Sequence, residues 1–319
     1  MRQEYRVSGR RACELMGLAR SSCRYQPKVR DEKGLRTALR ELALERPRFG
    51  YRRLGEMLRR RGWRVNRKRI YRIYREEGLA MRRRKRKRVT VPRLPLVLPT
   101  RAHEMWTMDF THDALVSGRR FRTLNLMDGY TRWALAIEVD TSLPGARVVR
   151  VLEQLRQQHG APERIQVDNG PEFVSQVVDQ WAYEHGVTLH FIRPGKPTDN
   201  GRIESFNGKF RDECLNQFWF VNLVEAKERI EAWRIDYNQV RPHSSLGYQT
   251  PEEFAAKMAA ATGCGKDAPW EPWKTPKAEF PTVPTTLGNP AQTAGFPLSH
   301  SPGDGQAASA LTIAEELIL

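Results

Sequence analysis

Three runs rich in aromatic and aliphatic residues follow one another closely: "MWTMDFTHDAL", "RRFRTLNLMDGYTR" and "RWALAIEVDTS". Gly118 separates the first two, and "DGYT" (128–131) offers a turn between the second and third. Runs of this kind broken by turn residues read as an antiparallel meander. The pattern then changes. "GARVVRVLEQLRQQHG" has the spacing of an amphipathic helix that stops at Gly160, and "ERIQVDNG" reads as a fourth strand. "VSQVVDQWAYEHG" is a second helix closed by Gly186, and "VTLHFIRP" a fifth strand. "NGRIESFNGKFRDECLNQF" and "VEAKERIEAWRIDYNQ" follow as helices, in which Trp233 reads as a core aromatic, as does Trp181 before them. Strands in succession, then strands alternating with helices, predict an α/β domain over 101–260: one mixed sheet with flanking helices.

The first third of the chain has a different character. Residues 1–100 hold 32 Lys and Arg against 9 Asp and Glu, net +23, and the remaining 22 and 28 give −6. Charge concentrated in this way attracts a polyanion, because neutralising phosphates releases condensed counterions. Within it, residues 1–30 carry a short helix-turn-helix pattern around Gly17, with Ala12, Leu15, Met16 and Leu18 as a small apolar face. Residues 31–81 repeat the theme at larger size. Leu35, Leu39 and Leu42 line one helix, "YRRLGEMLRRRG" forms the next, and Asn66 has the chemistry of an N-cap for "RKRIYRIYREEG". In that last helix Ile70, Ile73 and Tyr74 turn inward, which leaves Arg67, Lys68, Arg69 and Arg72 as the DNA-facing candidates. Residues 82–100 combine seven consecutive basic residues with Pro92, Pro95 and Pro99, the composition of an extended linker. Eight of the 20 prolines fall in 261–319, and this tail reads as disordered.

No apolar run approaches the roughly 20 residues of a membrane span, and the N-terminal stretch lacks a signal core. The four cysteines form no C-x-x-C pair. A reducing cytoplasm is the expected location.

Three acids stand out in the α/β region. Asp109 interrupts an apolar strand, where burying a carboxylate is costly unless a partner or metal compensates. Asp168 ends the fourth strand ahead of an Asn-Gly turn, and Glu204 begins a helix after the Pro- and Gly-containing stretch "KPTDNGRIES". Each also has a plain structural role open to it: strand-end acid, Asx-turn former, helix-dipole acid. If the three converge at one sheet edge, they form an oxygen-donor site suited to Mg²⁺ or Mn²⁺.

These acids lie 59 and 36 positions apart, within "WTMDFT", "VDNGPEF", "RPGKPTDNGRIESFNGKFRDE" and "YNQVRPHSSLGYQTPEEF". Over about residues 8–258 the chain resembles the downstream-frame (OrfB-type) catalytic subunit of insertion-sequence-three family transposases, in the DDE transposase and retroviral integrase superfamily. The resemblance implies a ribonuclease H-like core. It also implies metal-dependent DNA cleavage and strand transfer, with Asp109, Asp168 and Glu204 as catalytic residues and ligands of two ions. Arg211 stands at the basic position seven past the glutamate. Lys209 and Arg211 are expected on backbone phosphates, and Asp109 as the ligand bridging both ions. DNA is the implied partner, as element terminal inverted repeats and as target. A homo-oligomer on DNA and an upstream-frame (OrfA-type) protein are implied as well. His243 is expected to be structural. Two rival readings are a DNA-binding regulator, which has no use for three spaced acids, and a ribonuclease H-like nuclease without strand transfer, which has no use for the basic arm.

Overall fold

A computed structural model describes residues 7–25, 32–80, 98–170, 172–193 and 200–261. The expected linker, up to residue 97, and the tail beyond residue 261 lie outside the described residues, as does most of the loop before Glu204.

Five helices come first: α1 (Gly9–Leu15), α2 (Arg20–Arg24), α3 (Lys33–Glu45), α4 (Tyr51–Arg60) and α5 (Arg67–Glu76). The Asn66 side chain accepts from the Lys68 N–H at 2.8 Å, the N-cap the sequence implied. Leu35, Leu39, Leu42, Leu54, Leu58, Ile70, Ile73 and Tyr74 form the core of α3–α5, so the amphipathic reading holds there. It does not hold for the shorter pair. Leu15, Met16 and Leu18 are all more than half exposed, and neither α1 nor α2 buries a residue. Helices of seven and five residues bring too little surface together to close a core.

The second region runs β1 (Met105–Ala114), β2 (Arg120–Asp128), β3 (Ala134–Asp140), α6 (Gly145–His159), β4 (Arg164–Val167), α7 (Gln176–Glu184), β5 (Thr188–Phe191), α8 (Gly201–Glu213), α9 (Leu223–Gln239) and α10 (Pro251–Ala261). The strand order is β3-β2-β1-β4-β5. β1 pairs antiparallel with β2 and parallel with β4, so the expected meander and crossover meet at the central strand. The "DGYT" turn is held by Asp128, whose Oδ1 accepts from the N–H groups of Tyr130 and Thr131 at 3.0 and 2.7 Å.

Successive side chains on a strand point to opposite faces. Trp106 and Met108 of β1 enter the core beneath α6 and α7, with Val148, Leu152, Val178 and Trp181. On the other face lies a core of Ile203, Phe206 and Phe210 from α8 with Trp233 and Tyr237 from α9. Thr107, Asp109 and Thr111 share that second face, so the central strand is polar where α8 crosses it.

The helical unit docks directly on the α/β region. Arg46 donates twice to Asp236, at 2.7 and 2.5 Å, and Arg53 reaches Glu213 at 3.2 Å. Arg241 donates twice to the same Glu213, at 2.6 Å each. Phe49 lies between them, with the guanidinium carbons of Arg46, Arg53 and Arg241 at 5.7, 5.3 and 5.7 Å from its ring centre. His243 is buried against Tyr237, and burial, with Arg241 and Lys209 nearby, pushes its pKa well below the usual value. That is the structural role expected of it.

Candidate active site

Asp109 sits midway along β1, opposite Asn125 of β2. Its Oδ1 accepts from the Phe110 N–H at 2.8 Å, and its Oδ2 from the Asn207 side-chain amide at 2.8 Å. Burial pushes the carboxyl up to about 6. The Phe110 N–H opposes this, the negative charges of Asp168 and Glu204 add to it, and the Asn207 amide opposes it too. Thus the fold brings the field of the two other acids onto the first.

Asp168 lies one residue past β4. Its Oδ1 accepts from the Gly170 N–H at 3.0 Å, the Asx turn that its structural reading foresaw. A Cβ on Gly170 would stand 2.9 Å from that same oxygen, so only glycine leaves the carboxylate where it is. Asn169 ties the turn to the end of β5 by donating to the Ile192 carbonyl at 3.1 Å. Glu204 is exposed in the first turn of α8.

Among the described residues, no three His, Cys, Asp or Glu side chains stand close enough together to hold a metal ion. Asp109 and Asp168 are half-buried, Glu204 is exposed, and none of them makes an ion pair with a described residue. Three oxygen donors without a cationic partner suit a hard divalent cation.

A polar chain behind Asp109 escaped the sequence reading. The buried Asn125 amide donates to Thr111 Oγ1 at 2.9 Å and to Asn207 Oδ1 at 2.8 Å. Asn207 passes its own donor to Asp109. Two signals were available: a polar residue inside "TLNLM", and an amide three residues past Glu204, hence on the same face of the helix.

The expected DNA contacts divide. Arg211, seven residues past Glu204, lies within about 20° of it around the helix, and it donates to the His112 carbonyl at 3.0 Å. Lys209, five residues past, points about 140° away, into the seam with Arg241, Arg53 and Glu213, where burial pushes it down to about 8. It is not beside the acids. On α5, Lys68 is exposed, and Arg67 lies over the Tyr248 ring at 5.6 Å. Arg69 and Arg72 are instead engaged within the protein. Both pair with Glu32, at 2.9 and 2.5 Å, and Arg72 also with Glu76 at 2.8 Å. Glu32 lies before the first helix of its unit, and only the fold brings it to α5.

Comparison with known proteins agrees with this architecture. Residues 99–197 and 185–251 match two family models described as integrase core domain, and 30–87 match an HTH-like domain. A 31.7 kDa protein of insertion element IS407 from Burkholderia multivorans is 51% identical over 271 residues, which span 84% of this chain and 96% of that protein. The chain belongs to the insertion-sequence-three family of DDE transposases. It is similar to Transposase InsD of insertion element IS2 from Escherichia coli, 28% identical over 67% of this chain and 76% of that protein. It is similar also to a solved structure, the HTLV-2 integrase catalytic core domain in complex with magnesium. That likeness has 17% identity and a TM-score of 0.40, over 50% of this chain and 99% of that one. By its family models and insertion-element relatives the protein is a DNA transposase with a ribonuclease H-like core and a DNA-binding helical unit, and the regulator and plain-nuclease readings are not favoured. No described helix is long and apolar enough to cross a membrane.

Proposed function

We propose that Asp109, Asp168 and Glu204 are the catalytic acids, and that they hold two Mg²⁺ or Mn²⁺ ions during cleavage at element ends and strand transfer into target DNA. The observation that carries this is the half-buried Asp109 carboxylate at the middle of the central strand, held by Asn207 of the Glu204 helix and paired with no described cation; burial first, and then the charges of Asp168 and Glu204, raise it. When bound, such ions activate the attacking oxygen and stabilise the leaving one. Asp109, on the most central strand, would be the most rigidly held of the three ligands. Asn207 holds its Oδ2 in place, and the Gly170 turn holds Asp168. Arg211, on the Glu204 side of α8, would contact a phosphate near the reacting bond, a reading supported by its helical phase with Glu204. The nucleophile is water in cleavage and a freed DNA 3′-hydroxyl in joining, so no covalent protein–DNA link is required.

The DNA partners are the terminal inverted repeats and the target, bound by a homo-oligomer in the bacterial cytoplasm, with an upstream-frame product as a further partner. On α5, Arg67, Lys68 and Arg72 are the exposed candidates for the DNA backbone, and Lys68 makes no ion pair with a described residue. Asp168→Asn tests the site. The variant should bind element ends as the parent does and lose Mg²⁺-dependent strand joining in an oligonucleotide assay. Normal joining by the variant would remove Asp168 from the chemistry.

A further inference from the structure

We infer that a row of half-buried cations on the flank of α8 turned away from Glu204, formed by Arg53, Lys209, Arg132 and Arg202, is a seat for the DNA backbone. It would lead one strand from the helical unit toward the end of α8 that carries Glu204. This rests on the strand-transfer function proposed above, and it concerns residues that lie outside the acid cluster.

The row is continuous across three parts of the fold. Arg202 and Lys209 are seven residues apart on α8, hence within about 20° of one another and roughly 10 Å apart along the axis. Arg202 is anchored by donating from Nη1 to the Gly129 carbonyl at 2.9 Å. Arg132 follows in the same β2–β3 turn, in the left-handed region with φ 65°. It is an electrostatic neighbour of both Arg202 and Lys209. Lys209 in turn neighbours Arg53 of α4, so the row reaches the DNA-binding unit.

Many of the described arginines spend their charge internally. Arg36, Arg147, Arg156 and Arg164 each face a carboxylate. Arg132, Arg202 and Lys209 make no ion pair with any described residue, although all three are half-buried. The acids around them are already engaged, Glu104 beside Arg202 being paired with Arg164. Glu213 gives both oxygens to Arg53 and Arg241. Asp128 gives Oδ1 to Tyr130 and Thr131 and Oδ2 to the His103 N–H. The cost is visible in the cations: burial, then mutual repulsion, pushes Lys209 down to about 8 and Arg202 to about 10. Lys209, Arg132 and Arg202, which no carboxylate pairs, are completed by a polyanion, and Arg53 extends the row beside them although it is held by Glu213. The roughly 10 Å between Arg202 and Lys209 spans about three nucleotides at about 3.4 Å per nucleotide of one strand.

The test is the salt dependence of binding by the full chain to duplex DNA bearing the element's terminal inverted repeat. Each phosphate neutralised contributes about 0.9 to the slope of log affinity against log salt. Lys209→Gln, Arg132→Gln and Arg202→Gln should each flatten the slope by about 1, and the triple variant by about 3. Lys209→Arg should restore the parent slope. Lys227→Gln and Arg150→Gln, exposed cations on α9 and α6, should leave it unchanged. Unmoved slopes in the row variants, or equal losses in the two controls, would overturn the row while the Asp168→Asn result stood. A parent chain that bound no DNA would sink both readings. Removing uncompensated buried charge should not lower the urea midpoint, so misfolding is separable from lost binding.

Discussion

Asp109→Asn should make the transposase more stable while abolishing its joining activity, and the gain should depend on pH in a defined direction. In the folded protein the Asp109 carboxyl sits at about 6, against an ordinary value of 3.8. The folded state therefore holds the proton more tightly than the unfolded one. Below about pH 4 both states are protonated and the site costs nothing. Above about pH 6 both are ionised, and the folded state carries the full penalty. A gap of roughly two units, at about 1.4 kcal/mol each, is about 3 kcal/mol. Asparagine removes this but leaves a mismatch. Its amide would face the Asn207 amide, donor against donor, where Asp109 Oδ2 now accepts at 2.8 Å. Asn207 cannot simply turn over, because its Oδ1 accepts from Asn125. That conflict costs about 1 kcal/mol, which leaves a net gain of about 2 kcal/mol at pH 8 in the absence of divalent cation. Urea unfolding of both chains from pH 4.5 to pH 8 measures it. The difference should grow with pH, and Mg²⁺ should narrow it by stabilising the parent alone. A variant no more stable than the parent at pH 8, or a difference that does not change with pH, would refute the electrostatic account of the site.

Two further substitutions examine the support of the acids. Asn207→Ala removes a hydrogen bond to a carboxylate, worth about 1.5–3 kcal/mol, so the Asp109 carboxyl should rise by about one unit or more. The acid limb of the strand-transfer pH profile should move upward with it. Gly170→Ala would place a methyl 2.9 Å from Asp168 Oδ1. Joining should fall at least tenfold, with a urea midpoint close to the parent's.

What the sequence conveyed and what it withheld divide along the range of the interactions. The meander, the crossover strands and the capped helix at Asn66 were legible because each depends on neighbours a few residues away. Asp109 and Asp168 were legible as anomalies, since a carboxylate in or ending an apolar strand needs a reason. The fate of individual cations was not. Arg69 and Arg72 looked outward by helical phase, but Glu32, 37 and 40 positions away, took them. Arg46 meets Asp236 across 190 positions, and nothing local announces that pairing. Lys209 is an intermediate case, since the angle it makes with Glu204 follows from counting, while its company of Arg53 and Arg241 does not.

These long-range pairings also explain why the polar centre of the sheet can exist. Thr111, Asn125, Asn207 and Asp109 form one hydrogen-bonded chain between β1, β2 and α8. Such a chain is costly unless its helix is held in register. The apolar residues of α8 supply part of that hold through Phe206 and Phe210 against α9. The C-terminal end of the helix supplies the rest, because Glu213 is clamped by Arg241 and by Arg53 of the DNA-binding unit. A single helix thus carries Glu204 at its start, positions Asp109 from its middle, and is tied to the DNA-binding unit at its end. A shift of that unit on DNA would be felt along α8, at the acids.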